Sequence, residues 1–360
     1  MDDDFINRAN TKRNEYLLMT EELFTANKTG WLASFASHFQ DVCAQIHQQQ
    51  ERSELPPISF LEYTMLYTNF INRNYTADIF AYGEKTYFDK TQRYIGSFDI
   101  SFMFVYFNKL WDDLISLKKR YIGKVSSQEV TAYMLGVLPD FYSYLKSIAR
   151  FAIMDCSDFN AFRDVEKNEF FKVRVGSYMA KPETVYAASK NKDADELVSW
   201  FGRYLWSTYT FGDYSGLDFA GKSFLYTDFR FARFQDSTLS HVSFDGSSLT
   251  GASFRGADME GSRFDYCSLY QVDFTGAMLK NASFKKARGN AGLTDKNEWK
   301  FAGFLPVSFR NANLANADFT GADIKGADFT QSVMNGAKFD SSMQNELDLS
   351  QEQRRSVVFV

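Results

Sequence analysis

Seven aspartates, Asp218, Asp228, Asp258, Asp273, Asp318, Asp323 and Asp328, occupy the same place in a five-residue pattern. A ladder of carboxylates could bind cations or move protons. Each one, however, stands just before a large apolar residue, at a position that faces water and tolerates any polar group, so the spacing predicts solvated surface. His38 and His47 are too far apart to form a metal pair on one helical face, which needs a separation of three or four. Cys43, Cys156 and Cys267 are scattered and odd in number, as expected of free thiols in a reducing compartment. Asp112, Asp113, Asp155 and Glu166 are the acids from which a composite site in the first half could be drawn, but no motif joins them. There is no phosphate-cradling glycine loop, no His-Glu metal motif, no CxxC and no nucleophile elbow. The chain is therefore expected to hold no catalytic, cofactor-binding or metal residues and to be no enzyme.

The stretch 287–301 offers a different chemistry. Trp299 stands there among Arg288, Asp295, Lys296, Glu298 and Lys300, and an aromatic among charges on a protruding loop is a plausible anchor for a protein partner. The competing expectation is that Trp299 folds back on the wall beside it.

That wall is specified by a period of five. Large apolar residues recur from Phe219 through Phe224, Phe229 and Phe234 to Phe284, and the count resumes at Phe304 and runs to Phe339. Two residues before most of them stands a small residue, such as Ala252, Ala257, Ser262, Cys267 or Ala317. Helices repeat near 3.6 and strands at 2, so a strict five requires a chain that turns one corner per repeat. Four corners close a square coil whose large and small positions point inward. Gly246, Gly251, Gly256, Asn281, Asn311 and Asn316 fall at the corners, where unusual backbone angles are needed. Runs such as Ala312-Asn313-Leu314 and Ala317-Asp318-Phe319 resemble the pentapeptide-repeat family. That resemblance implies a right-handed quadrilateral β-helix, and it implies little about activity.

Residues twenty apart should then stack. One face collects Phe224, Phe244, Phe264 and Phe284, and the opposite face Phe234, Phe254 and Phe274. If 287–301 bulges out as a loop, Phe319 and Phe339 join the first ladder and Phe309 and Phe329 the second, with Tyr214 extending the second backwards. Ser350 and Gln353 have the spacing of a capping box. A short helix and Val357-Val358-Phe359-Val360 are thus expected either to cover the last coil or to pair with a second copy as a homodimer.

The first half reads as mainly helical. Helices are expected over about 10–50 with a break at Lys28-Thr29-Gly30, over 58–71, over 97–121 and from Ser126-Ser127-Gln128-Glu129 onward, partly over 158–175, and as short helices over 182–189 and 194–206; 76–89 is undecided between a hairpin and a helix-loop. The two long apolar helices from Ser97 and Ser126 should pack together as its heart. This half resembles, more loosely, the helical amino-terminal extensions of bacterial pentapeptide-repeat proteins. The domain reading is thus 1–210 helical, 211–342 repeat coil and 343–360 cap or dimerisation tail.

Net charge is -5 at pH 7, and the cations gather in no stripe, which argues against a nucleic-acid surface. An acidic start and the lack of any long apolar run argue against a secretory signal or a membrane span, so a soluble, cytoplasmic protein is expected. The reading these features favour is a non-enzymatic interaction scaffold with an unidentified protein partner and no cofactor. The family resemblance supplies an alternative, binding of DNA gyrase by a coil that imitates duplex DNA. A strongly negative surface is needed for that, whereas charges along the coil nearly cancel.

Overall fold

The computed structural model describes residues 2–83, 92–154, 156, 159–178, 181–189 and 209–360. The helix expected over 194–206, Asp155 and residues 84–89 lie outside them. The chain divides into two units, Met1–Lys190 with Leu293–Ala302, and Asn191–Gly292 with Gly303–Val360. The segment Leu293–Ala302, expected to project from the coil, thus belongs to the first unit.

The first unit begins with α1 (Asp3–Glu51), a single helix whose first turn is capped by the Asp2 carboxylate, which accepts from the backbone N–H of Asp4 and Phe5. No break occurs at Lys28–Gly30. Gly30 is exposed, and its helix cost of about 1 kcal/mol is small beside the burial of Leu17, Phe24, Phe35, Phe39 and Ile46 on one face. Next come β1 (Ile58–Met65), α2 (Tyr67–Ile71), β2 (Thr76–Tyr82), β3 (Arg93–Asp99), α3 (Val105–Lys118), α4 (Ser127–Ala152), α5 (Asn160–Asp164), β4 (Lys167–Ser177) and β5 (Glu183–Ser189).

The strands form one mixed sheet in the order β3-β2-β1-β4-β5, with β1 parallel to β4 and the other pairs antiparallel. This sheet corrects the helix expected at 182–189 and most of that expected at 58–71, of which only Tyr67–Ile71 is helical; the partly helical reading of 158–175 holds at Asn160–Asp164 and gives way to β4 from Lys167. Strand β1 is buried along nearly its whole length, so it shows the continuous apolar run of a central strand and no alternation. In β4, Phe171, Val173 and Val175 are buried while Lys172 faces water, an alternation of two obscured by its many charges. The helix expected from Ser97 starts only at Val105, after β3 and a single tight turn at Ser101–Met103. Helices α3 and α4 do pack together, with Phe107 edge-on to Phe141 at 5.1 Å. Helix α4 opens with a complete capping box between Ser126 and Glu129. Phe35 of α1 meets Tyr63 of β1 and Phe98 of β3, tying the helices to the sheet.

The second unit is the coil. Residues one turn apart pair in parallel, Ser253 with Asp273 for instance, and the offset of 20 becomes 35 across the insertion, where Asp273 pairs with Ser308. Backbone bonds satisfy each rung: the Phe244 N–H donates to the Arg263 carbonyl and the Gly246 N–H to the Asp265 carbonyl, both at 2.8 Å. At the corners the residue two after each centre has positive φ, whether Gly246 (71°) or Tyr226 (54°). Where such a corner carries a large side chain, the residue one coil on tends to be glycine, because a Cβ at Gly246 would lie 2.5 Å from the Tyr226 ring.

Both phenylalanine ladders form as expected. Phe264 stacks on Phe284 (4.9 Å, 6°) and Phe284 on Phe319 (4.7 Å, 3°), while Phe254 stacks on Phe274 and Phe274 on Phe309. Rings from opposite ladders meet edge to face, as Phe264 and Phe274 do at 5.4 Å and 78°, the arrangement their quadrupoles favour. At the small inward positions, hydroxyls find backbone partners: Ser247 Oγ donates to the Phe224 carbonyl at 2.6 Å and Ser262 Oγ to the Leu239 carbonyl at 2.6 Å. Cys267 occupies the same place and reaches the Phe244 carbonyl through Sγ.

The interruption is shorter than 287–301. Ala287 is buried, Gly289 donates to the Asp323 carbonyl and Ala291 to the Lys325 carbonyl, so the coil runs to Gly292, where an antiparallel bridge to Phe304 closes the neck. Gly289 sits where a large centre would be, and its Cβ would lie 2.7 Å from Val307 Cγ2, which fills the space. Phe304 is therefore no ladder residue. It is half-buried and stacks on Tyr270 at 4.2 Å, and the ladder resumes at Phe309.

At the far end Ser350 and Gln353 form the expected capping box at the start of α6 (Gln351–Ser356). Gln353 Nε2 also donates to the carbonyls of Phe329 and Ser332. The strand β7 (Val358–Phe359) then pairs in parallel with β6 (Lys338–Phe339), so the tail covers the last coil of its own chain.

Phe309→Ala should cost the coil about 3–5 kcal/mol, the loss typical of a buried phenylalanine, and Phe304→Ala much less. Chemical denaturation followed by far-ultraviolet circular dichroism checks the order, and equal losses would put Phe304 back in the ladder.

Candidate interaction surface

The acids suspected of chemistry do not converge. In the coil they act on their own corners: Asp218, Asp228, Asp273, Asp318 and Asp328 accept from the N–H two residues on, as Asp273 Oδ1 does from Thr275 at 2.8 Å. Many also pair with a cation, Asp273 with Arg255, Asp318 with Lys285 and Asp328 with Arg310. Burial would push the Asp318 and Asp328 carboxyls up, but bonds from Thr320 and Thr330 and from Lys285 and Arg310 outweigh it and hold them below the usual carboxylate range.

In the first unit Asp112 is paired with Arg73, and Asp113 accepts from Lys12 Nζ at 2.6 Å and Tyr16 Oη at 3.0 Å. The Glu166 backbone N–H instead donates to Gln50. Lys12 and Gln50 stand at opposite ends of α1, about 55 Å apart at 1.5 Å per residue, so Asp113 and Glu166 share no site. His38 lies among the rings of Tyr63 and Phe98, its pKa lowered by burial, and His47 pairs with Glu51. All three cysteines are buried and outside any disulfide. Among the described residues no group of His, Cys, Asp and Glu is placed to hold a metal ion, and no helix is long and apolar enough to cross a membrane.

The insertion residues separate into two sets. Lys296, Glu298 and Lys300 are exposed, Glu298 paired with Lys300, and Asp295 accepts from the backbone N–H of Asn297. Trp299 is buried, at 6% exposure. It is no exposed anchor and packs within the first unit. Its indole Nε1–H donates to Tyr144 Oη at 2.8 Å, and Tyr144 Oη donates to Glu21 Oε2 at 2.8 Å. Asn14 on α1 brackets the backbone, Oδ1 accepting from the Trp299 N–H at 2.8 Å and Nδ2 donating to the Asn297 carbonyl at 2.9 Å. Buried polar atoms demand such partners, and burial together with the Glu21 carboxylate pushes the Tyr144 phenol well up.

Arg288 is separate from that set, on the coil itself. It lines a groove of about 610 Å³ with Tyr266, Tyr270, Lys286 and Asp323. Tyr266 is 63% exposed, Lys286 Nζ lies 5.3 Å from its ring centroid, and Tyr270 is held by its stack on Phe304. The groove opens because Gly321, one coil beyond Lys286, has no side chain to fill it. Arg288 and Asp323 are partners on adjacent rungs, yet neither forms an ion pair among the described residues. Of this surface only Arg288 was anticipated from sequence. Stacking at twenty residues places Lys286 beside Tyr266, so part of it could have been found, whereas Asn14, Glu21 and Tyr144 carry no signal that would link them to Trp299.

The coil defines a class, the parallel solenoid of right-handed square turns. Residues 227–265, 261–288 and 307–341 match the family model of pentapeptide repeats, in eight copies, and that part of the chain carries pentapeptide repeats. No curated protein sequence matches it. Among solved structures it is similar to QnrB1, a plasmid-mediated fluoroquinolone resistance protein, in a trypsin-treated variant, at 21% identity over 36% of this chain and 61% of that one, under two thirds of its length, with a TM-score of 0.22. Rfr23 from the cyanobacterium Cyanothece 51142 aligns at 12% identity over 47% of this chain and all of its own (100%), with a TM-score of 0.24. HetL, involved in heterocyst differentiation regulation in Nostoc sp. strain PCC 7120, aligns at 19% identity over 41% and 97%, with a TM-score of 0.14. Such scores carry no argument about function.

Trp299→Ala should destabilise the first unit by about 3–5 kcal/mol, and Tyr144→Phe by about 1–3 kcal/mol because it strips the Trp299 and Glu21 hydrogen bonds. Denaturant unfolding measures both. A silent Tyr144→Phe would mean the relay is unimportant to stability.

Proposed function

We propose that the protein is a non-enzymatic interaction scaffold whose coil presents the groove of Tyr266, Tyr270, Lys286 and Arg288 to an acidic segment of a protein partner. The observation that carries this reading is the uncompensated Arg288. On the same coil Arg230, Arg233, Arg255, Arg263, Lys280, Lys285, Arg310 and Lys325 each stand within 4.0 Å of a carboxylate. Lys222, Lys286 and Lys338 are also without one among the described residues, and of these only Lys286 lines the groove, beside Tyr266. Tyrosine and arginine are the residues that interfaces most often use as anchors, and a rigid wall spares the entropy of ordering them.

Imitation of duplex DNA, the gyrase reading, is disfavoured by the same charges. The coil and its tail, 209–292 with 303–360, carry 16 acidic and 14 basic side chains, and many of the acids are paired, whereas a DNA-like surface is an unbroken negative field.

Affinity capture with the intact chain, repeated with Arg288→Glu and Tyr266→Ala, tests the proposal. A partner that binds the wild type should bind each variant at least tenfold more weakly and lose affinity with added salt. Both side chains are exposed, so the melting temperature should stay unchanged. Equal binding by Arg288→Glu would remove the groove from the function.

A further inference from the structure

The way the first unit holds Trp299 has the form of peptide recognition. Only one side chain of the insertion between Leu293 and Ala302 is buried. That side chain is read at its single polar atom by Tyr144, whose hydroxyl is oriented by Glu21, 7% exposed, and its face rests near Tyr144, with Phe24 behind at 5.1 Å from the Tyr144 ring. Asn14 reads the backbone on both sides of residue 298, accepting an N–H and donating to a carbonyl. A side-chain amide bridging a backbone N–H and C=O selects conformation and no sequence, while the indole pocket supplies the specificity. The residues around Trp299, namely Lys296, Glu298, Lys300 and Phe301, are exposed and are not what this site reads.

We propose that this notch on α1 and α4 is a recognition site for a tryptophan-bearing segment of a partner protein, and that the chain's own insertion fills it in cis. Tethering raises the local concentration of the insertion to the millimolar range of a short linker. An outside segment therefore competes only when it binds more tightly or when the insertion withdraws. The site is then a gated one: occupancy by the insertion closes it, and displacement frees both the notch and the charged insertion. This proposal does not depend on the groove of Arg288, which lies on the other unit.

The probe is a fluorescent peptide with the sequence of residues 293–302, added to the full chain carrying Trp299→Ala. Saturable binding is expected, at least tenfold tighter than to the wild-type chain, whose notch is filled. It should fall about tenfold with Tyr144→Phe added, the worth of one buried hydrogen bond, and vanish when the peptide's tryptophan is alanine. A folded Trp299→Ala chain that does not bind, or one whose binding ignores both Tyr144→Phe and the peptide's tryptophan, overturns the proposal. Should Trp299→Ala fail to fold, hydrogen exchange on the wild-type chain decides. Excess peptide should speed exchange of the Trp299 amide, now held by Asn14, and unchanged exchange there overturns the proposal.

Discussion

A rung must close after four corners, and the second unit depends on that constraint. Every backbone group that leaves one turn is met by the next, as Phe244 is by Arg263 and Gly246 by Asp265, so any error in length would misplace all later rungs. The insertion obeys it by addition. It lengthens the offset from 20 to 35, a whole number of five-residue sides, and leaves Phe274 stacked on Phe309 and Phe284 on Phe319. Gly289 and Val307 share the inward space there, the glycine yielding the volume that the valine takes. A chain that lost this compensation would overpack its core, which destabilises as surely as a cavity does.

The two units use aromatic residues in different ways. In the coil they are a regular filling, stacked within a face and edge-on across it, and the small inward serines bond to the backbone. In the first unit they carry polar handles into the interior. Tyr144 is fully buried and must place its hydroxyl, and it does so between Trp299 and Glu21. A buried polar chain of this kind is costly when broken and specific when complete, which is why one tryptophan on a short insertion can be held firmly by few contacts.

The five-residue period made the coil legible because it is local: each position's environment is set by neighbours at fixed spacings along the chain. Phe224, Phe234 and Cys267 could be assigned to faces with no knowledge of anything else. The corner role of the aspartates was half seen; their exposure followed from the pattern, but the bond to the N–H two residues on did not. The sheet of the first unit was not legible. Strand β1 is covered on both sides, so its sequence lacks the alternation that marks a half-exposed strand, and its parallel partner β4 lies more than a hundred residues away.

For the same reason the chain's surfaces divide. Sequence alone determined the square coil, its ladders and the capping box that begins the tail's helix, because all of these are consequences of spacing. Only the tertiary structure decided that Trp299 is buried against Tyr144 and that Phe304 stacks on Tyr270 outside the ladder. It also decided that the tail's last strand lies on β6 of its own chain. Each of those outcomes depends on a partner distant in sequence, and hydrogen-bond satisfaction and close packing choose such partners without leaving a periodic trace.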